Sequence, residues 1–360
     1  MFLSFIVPTY NRPQNLEIAV KSIASQVNRA DIQIIVIGKT EENGNAEVCK
    51  RLTDHFSFVQ VVHNPHTDYS QNFQAMFRAA ADSEWAWTFG DDDILHAGAL
   101  DFMIKRLEEN PHVSFFHIAE ESRASGRNVA ATGTLFDLCC DMGWIEMTGF
   151  ITGNVARGAK LAAAAETPRW HDYAKCSFVQ SCAILEAFKD EQATFLDIPL
   201  IKTQSKDMTM DALATWSSQN IAARYLFISL AVEKMVEDGI LPVEMPAKFF
   251  RYLSYHLWDR FISHFVGDYL DREQVWFDDA WANVLRLTNF VREPEVVKQV
   301  HQDVAAVRGL ITLHSYMSRN LEGIRNEIGM IGGRHEEPCY PYSFVQGNSA
   351  SEAETQPVVG

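Results

Sequence analysis

Apolar runs and amphipathic segments alternate along the first third of the chain. Residues 2–7 are a nearly unbroken apolar run closed by Pro8, which predicts a parallel strand buried on both faces. Residues 15–26 carry Leu16, Ala19, Val20 and Ile23 at helical spacing, and residues 32–37 form a second, β-branched run ended by Gly38. This is a β-α-β unit. A third short run at 58–62 precedes a turn-rich stretch, after which a helix is predicted over 71–81, a strand over 85–89, a helix over 101–109 and a strand over 113–118. Strands alternating with helices imply a mostly parallel α/β sheet, with ligands in the crevice beyond the carboxyl ends of its strands.

Residues 122–165 are rich in Gly, Ala, Thr and Ser and have poor periodicity, so loops and an acceptor-side region are expected there. From residue 207 the pattern becomes helical, over 222–236, 247–265, 274–290 and 295–316. The expected organisation is an α/β domain at 1–205, a helical region at 206–335 and a flexible polar tail at 336–360. The helix at 247–265 is dense in aromatics, among them Phe249, Trp258 and Phe265, and is read as core ahead of a membrane-facing or dimer-forming surface.

Composition narrows the function classes. Of 360 residues, 31 are Lys or Arg and 47 Asp or Glu, a net charge of −16 that argues against gripping nucleic acid through its phosphates. An anionic small ligand would have to be met locally, by a metal, backbone amides or a few basic side chains. None of the six cysteines falls in a zinc or redox pair, so reduced thiols are expected. No basic region precedes the first apolar run, and no stretch reaches the roughly 18 apolar residues of a membrane span. The expected location is cytoplasmic, with peripheral contact at the inner membrane face and homo-oligomerisation left open.

Two segments carry chemistry. In Trp85-Ala-Trp-Thr-Phe-Gly-Asp-Asp-Asp-Ile-Leu95 a hydrophobic strand delivers Asp91, Asp92 and Asp93 to its carboxyl end. Adjacent carboxylates repel unless a cation is present, and an all-oxygen acidic turn suits Mg²⁺ or Mn²⁺, which keeps open positions for substrate phosphates. The competing structural account is a solvated helix N-cap, for which one Asp would suffice. The second segment closes the first strand: Pro8 fixes the backbone, Tyr10 offers a ring on which a base can stack and Arg12 can reach a phosphate.

Together, Val7-Pro8-Thr9-Tyr10-Asn11-Arg12 and Phe89-Gly90-Asp91-Asp92-Asp93-Ile94-Leu95 resemble the two signature motifs of family 2 inverting glycosyltransferases, which have the GT-A fold. The second motif is similar to that of the abequosyltransferase-like deoxysugar transferases of bacterial polysaccharide synthesis. The resemblance covers residues 2 to about 205. It implies a GT-A-like Rossmann-type mixed sheet flanked by helices, a nucleotide-sugar donor and a glycan or lipid-linked glycan acceptor. It also implies that Pro8, Thr9 and Tyr10 line the nucleotide site, that Asp91 approaches the ribose or sugar and that Asp93 ligates the metal, with Asp92 between them. One departure stands out: after the second strand the family places a base-contacting acid, whereas this chain reads Ile37-Gly38-Lys39-Thr40-Glu41-Glu42.

Inversion needs a general base for the acceptor hydroxyl. The family's downstream Glu-Asp pair is absent, and the nearest equivalents are Asp172 and His171, with Glu166 a poorer candidate and Trp170 a possible platform for a sugar ring. Asp172 could equally cap a helix over 173–188. A nucleotidyltransferase is disfavoured because the first strand ends without a glycine-rich phosphate loop, and a non-catalytic carbohydrate-binding protein of the same fold remains the rival from another class.

Overall fold

The structure, a computed structural model, describes residues 1–40, 44–65, 68–121, 124, 129–174, 178–204 and 230–250, with 298, 302 and 305. All belong to the compact unit Met1–Arg308. In chain order the elements are β1 (Leu3–Thr9), α1 (Pro13–Ala24), β2 (Ile32–Gly38), α2 (Asn45–His55), β3 (Val59–His63), α3 (Tyr69–Arg78), β4 (Trp85–Thr88), β5 (Asp93–Leu95), α4 (Ala99–Glu109) and β6 (Phe115–Ile118). They continue as β7 (Val129–Thr134), α5 (Leu135–Met142), α6 (Trp144–Thr148), β8 (Asn154–Arg157), α7 (Gly158–Ala164), α8 (Trp170–Tyr173), α9 (Val179–Phe188), β9 (Gln192–Asp197) and β10 (Ile201–Thr203).

Eight strands form one sheet in the order β3-β2-β1-β4-β8-β6-β9-β7, and β10 pairs with β5 apart from it. β3, β2, β1 and β4 run parallel, as the apolar runs predict. In the other half β8 lies antiparallel between β4 and β6, and β7 antiparallel to β9, so the sheet is mixed, as the family resemblance implies. The chain moves outward from β1 to β2 and β3, then crosses to place β4 on the other side of β1. That reversal opens the crevice in which open α/β sheets bind ligands, between the carboxyl ends of β1 and β4.

Both faces of the sheet are covered. Leu3, Phe5 and Val7 of β1 pack with Leu16, Val20 and Ile23 of α1, Val48 of α2 and Leu100 and Met103 of α4. Ile6 of the same strand points the other way, into a core with Phe73 and Phe77 of α3, Trp144 of α6 and Ile184 and Phe188 of α9. Phe5 stacks on Trp87 of β4 at 4.9 Å, joining the two site-bearing strands through a pair worth about 1 kcal/mol beyond its burial. Residues 230–237 are helical, and Val232, Met235 and Phe249 join the second core, Phe249 stacking on Trp144 at 5.8 Å.

Other expectations change. Residues 129–165 are not loops: β7, α5, α6, β8 and α7 lie there, short elements whose small residues pack closely rather than in a wide periodic stripe. α2 replaces an unassigned stretch, its stripe resting on Val48, Cys49 and Leu52. The helix expected over 173–188 is α8 and α9 with residues 175–177 between them outside the described set; α9 starts after Phe178, so Asp172 does not cap it. Apart from 298, 302 and 305, the helices expected beyond 250 and the tail at 336–360 lie outside the described residues. Cys49, Cys139, Cys140 and Cys182 are free thiols, and among the described residues no helix is long and apolar enough to cross a membrane.

Candidate active site

The acidic turn follows β4 directly, beside the end of β1. It is not a solvated cap: Asp91 and Asp93 are 6% and 4% exposed, and α4 begins only at Ala99, with Gly98 before it. Thr9, the last residue of β1, donates its hydroxyl to Asp91 Oδ2 at 2.9 Å, and the Tyr10 backbone amide also donates to Asp91. Arg12 lies at the start of α1, where one guanidinium nitrogen, Nη1, stands 3.0 Å from Asp92 Oδ2 and 3.4 Å from Asp91 Oδ1. Asn11, at φ +56, sits in the left-handed region just before Arg12 and turns the chain from β1 into α1. Tyr10 is 52% exposed at this sheet end, with the Lys39 ammonium 5.9 Å from its ring centre. Pro8 belongs to β1 and pairs with Ile37, setting the strand end rather than presenting a polar group.

Three further segments close the site. The Thr152 hydroxyl accepts from the Gly90 amide at 2.8 Å and donates to Asp93 Oδ2. Its loop is fastened to β4 by Trp87 Nε1 donating to the Thr152 carbonyl at 2.7 Å and by Thr88 donating to the Ile151 carbonyl at 2.7 Å. Asp93 opens β5, which pairs with β10 so that Thr203 lies opposite it, and the Thr203 hydroxyl bonds to Asp93 and, at 3.0 Å, to Glu120 Oε1. Glu120 follows β6, whose carboxyl end lies on the same side of the sheet as those of β1 and β4. Gln204 completes the ring, its amide donating to the Asp92 carbonyl at 2.8 Å.

Burial dominates the electrostatics. It pushes Asp91 up to about 7 against the pull of Arg12 and the Thr9 and Tyr10 hydrogen bonds, with Asp92 adding to the rise. Asp93 is likewise pushed up to about 7 by burial, against Thr152 and Thr203, with Asp92 and Glu120 adding repulsion. For Arg12, burial lowers the pKa, but Asp91 and Asp92 outweigh it and the guanidinium stays charged.

These groups suit a hard divalent cation as a partial donor set. A Cβ placed on Gly90 would fall 2.8 Å from Asp93 Oδ2 and 3.0 Å from both Asp92 Oδ1 and Thr152 Oγ1, so three oxygens close around one concavity. Among the described residues, no three or more His, Cys, Asp or Glu side chains form a set able to hold a metal. Mg²⁺ and Mn²⁺ take one or two carboxylates and complete their shell with water and substrate phosphates, so a partial set is what such an ion uses.

His171 and Asp172 do not join this cluster. Their helix, α8, is fastened at the last turn of α3, where Trp170 meets Phe77 edge-on at 5.9 Å and Glu166 pairs with Arg78. Arg169 and Tyr173 bind Glu186 near the end of α9, and Arg169 also binds Asp238. The last turn of α3 leads into the start of β4, whereas the acidic turn follows its finish. Trp170 is buried core rather than a sugar platform. Of the histidines, His63 bonds to Thr40 and His96 faces Glu121, while His66, Glu41 and Glu42 lie outside the described residues.

Thr152, Thr203 and Glu120 escape a reading of the sequence. Each comes from a segment far along the chain, with no local pattern to mark it; only Thr152, between apolar Ile151 and Gly153, sits in a strand-entry context.

The model of glycosyl transferase family 2 matches residues 4–168, the stretch from β1 to the loop before α8. Abequosyltransferase RfbV of Salmonella typhimurium is 27% identical over 116 residues, which is 31% of this chain and only 34% of that protein. Residues 1–349 of S. aureus TarS, solved in complex with UDP-GlcNAc, superpose with a TM-score of 0.60 at 14% identity, covering 89% of this chain and 92% of that one. The same protein solved with UDP gives 0.57 over the same shares. Residues 4–168, which carry both the β1 and β4 ends and the acidic turn, are thus similar to glycosyl transferase family 2, and the mixed sheet shares the fold of TarS.

Proposed function

We propose that this protein transfers a sugar from a nucleotide-sugar donor to a hydroxyl of a glycan or lipid-linked glycan, with inversion, and that the transfer depends on Mn²⁺ or Mg²⁺. The observation that carries this reading is the pair of buried carboxylates, Asp91 and Asp93, at the β1/β4 crevice, where burial without a full counter-charge pushes both up to about 7. The nucleotide-sugar held by the TarS fold and the abequose transfer named for the bacterial relative support the donor class.

In this account Tyr10 stacks on the base, Thr9 orients Asp91 toward the ribose or sugar and favours its ionised form against burial, and Arg12 reaches the diphosphate. Asp93, oriented by Thr152 and Thr203, would hold the cation together with Asp92. When bound, the ion neutralises charge on the departing nucleoside diphosphate as a Lewis acid. Direct displacement at the anomeric carbon then needs one proton removed from the acceptor hydroxyl. We assign that role to Glu120, at the same sheet end, in place of Asp172.

A panel of nucleotide-sugars incubated with the protein, with Mn²⁺ or with EDTA, tests the reading. Release of nucleoside diphosphate from one donor, abolished by EDTA, is the expected result. Pyrophosphate release from a nucleoside triphosphate would mean a nucleotidyltransferase, and no turnover of any donor a binding protein.

A further inference from the structure

Arg12 brings a cation of the chain's own to the acidic turn, on the opposite oxygen of Asp92 from the concavity at Gly90. One of its nitrogens bridges Asp92 Oδ2 and Asp91 Oδ1, so two of the three turn carboxylates share a single positive charge supplied by the chain itself. The backbone behind it is fixed: Asn11 is left-handed, Pro13 opens α1, and the Arg12 carbonyl accepts from the Leu16 amide at 3.0 Å. The side chain is not fixed in the same way. It is 40% exposed and lies over the turn from the solvent side, so its head can leave without disturbing β1 or α1.

Resting on the function proposed above, we propose that Arg12 is a tethered counter-ion that competes with the divalent ion for the acidic turn. The guanidinium sits on Asp92 Oδ2 while the concavity at Gly90 offers Asp92 Oδ1, so an ion there and Arg12 draw on one carboxylate and repel each other across it. The ion alone therefore binds weakly. A diphosphate changes the balance, because it offers Arg12 a second anion within reach and completes the ion's coordination shell. Ion and nucleotide thus load together, and Arg12 is the element that couples them. By reciprocity, whatever factor the nucleotide contributes to ion affinity, the ion contributes to nucleotide affinity.

The test measures Mn²⁺ affinity directly, through loss of the free-ion electron paramagnetic resonance signal, for the full chain and for Arg12→Gln, with and without saturating UDP, GDP or CDP. Arg12→Gln is expected to bind Mn²⁺ alone about 5-fold or more tighter than the parent, and to lose most of the gain in affinity that the nucleotide brings to the parent. An unchanged or weaker affinity for Mn²⁺ alone in Arg12→Gln overturns the proposal, while a parent that binds Mn²⁺ with a nucleotide keeps the proposed function standing. A parent that binds no Mn²⁺ with any of the three nucleotides sinks both. Circular dichroism checks the fold of Arg12→Gln; should it fail to fold, Arg12→Lys, whose shorter side chain carries a compact, more strongly hydrated charge that leaves the turn for water more readily, is expected to show a smaller gain of the same sign, and no gain overturns the proposal.

Discussion

Thr9 and Asp91 are 82 positions apart, yet the Thr9 hydroxyl donates to the Asp91 carboxylate across 2.9 Å and ties the end of β1 to the turn after β4. This bond opposes the rise that burial imposes on the Asp91 carboxyl and orients it at the crevice where the donor is proposed to bind. Thr9→Val keeps the shape and removes the donor. It should lower kcat/KM about tenfold, the ~1.4 kcal/mol scale of one hydrogen bond to a charged group, with the fold retained by circular dichroism. A variant with parent kinetics would show that Asp91 does not depend on Thr9.

Gly38 is a close-approach glycine at the same sheet end. Its φ is +147, and a Cβ there would lie 2.0 Å from the Thr9 carbonyl oxygen. Gly38→Ala should destabilise the protein by at least about 2 kcal/mol in urea unfolding, because both the backbone angle and the space forbid it. It should also displace Thr9 and with it donor binding.

The run of Asp91 to Asp93 and the apolar strands feeding it were legible in the sequence because both are local: a strand of continuous hydrophobics and a polar turn need no distant partner to be seen. Thr152 and Thr203 were not, since their hydroxyls matter only once β8 and β10 have folded back onto the turn. Asp172 looked catalytic for the opposite reason. An acid beside aromatics is a local pattern, and only the packing of Trp170 on Phe77 shows which end of the sheet it occupies. The short elements between 129 and 165 were hidden by Ala- and Gly-rich sequence, in which tertiary packing outweighs periodicity.

Thr152 holds Asp93 and the Gly90 amide at once. Thr152→Val leaves the Gly90 amide without its acceptor and Asp93 with Thr203 in place of two hydroxyls, and should cost about 1–3 kcal/mol of stability. Mn²⁺ affinity in the presence of nucleotide should fall as well, whereas a loss of stability alone would confine Thr152 to the fold.

The raised carboxylates give a pH dependence of definite sign. Asp91 and Asp93 move from 3.8 to about 7 on folding, so between pH 4 and 7 the folded protein binds more protons than the unfolded chain, and stability must fall as pH rises through that window. Glu17, Glu166 and Glu191, lowered in the fold from 4.5, and Asp31 and Asp238, lowered from 3.8, change stability mainly below pH 5, so a comparison that starts at pH 5 reads the raised pair. In EDTA, the urea midpoint should drop from pH 5 to pH 7 and level off above about pH 8. A midpoint that rises over that range contradicts the burial account.

Glu120 and Asp172 separate the two assignments of the acceptor base. Glu120→Gln should lower kcat by about 10²-fold or more with little change in donor KM. Asp172→Asn should leave kcat near the parent value. The reverse pattern would return the base to α8.

The central claim is that Asp93 holds the cation that meets the donor's diphosphate. The most direct measurement is the initial rate of nucleoside diphosphate release from the accepted nucleotide-sugar, followed against Mn²⁺ concentration in the parent and in Asp93→Asn. The account predicts a saturable Mn²⁺ dependence in the parent and a loss of at least about 10³-fold in the variant at every concentration, with an unchanged circular dichroism spectrum. Turnover by Asp93→Asn at the parent rate, or a parent rate indifferent to Mn²⁺, Mg²⁺ and EDTA, would contradict it.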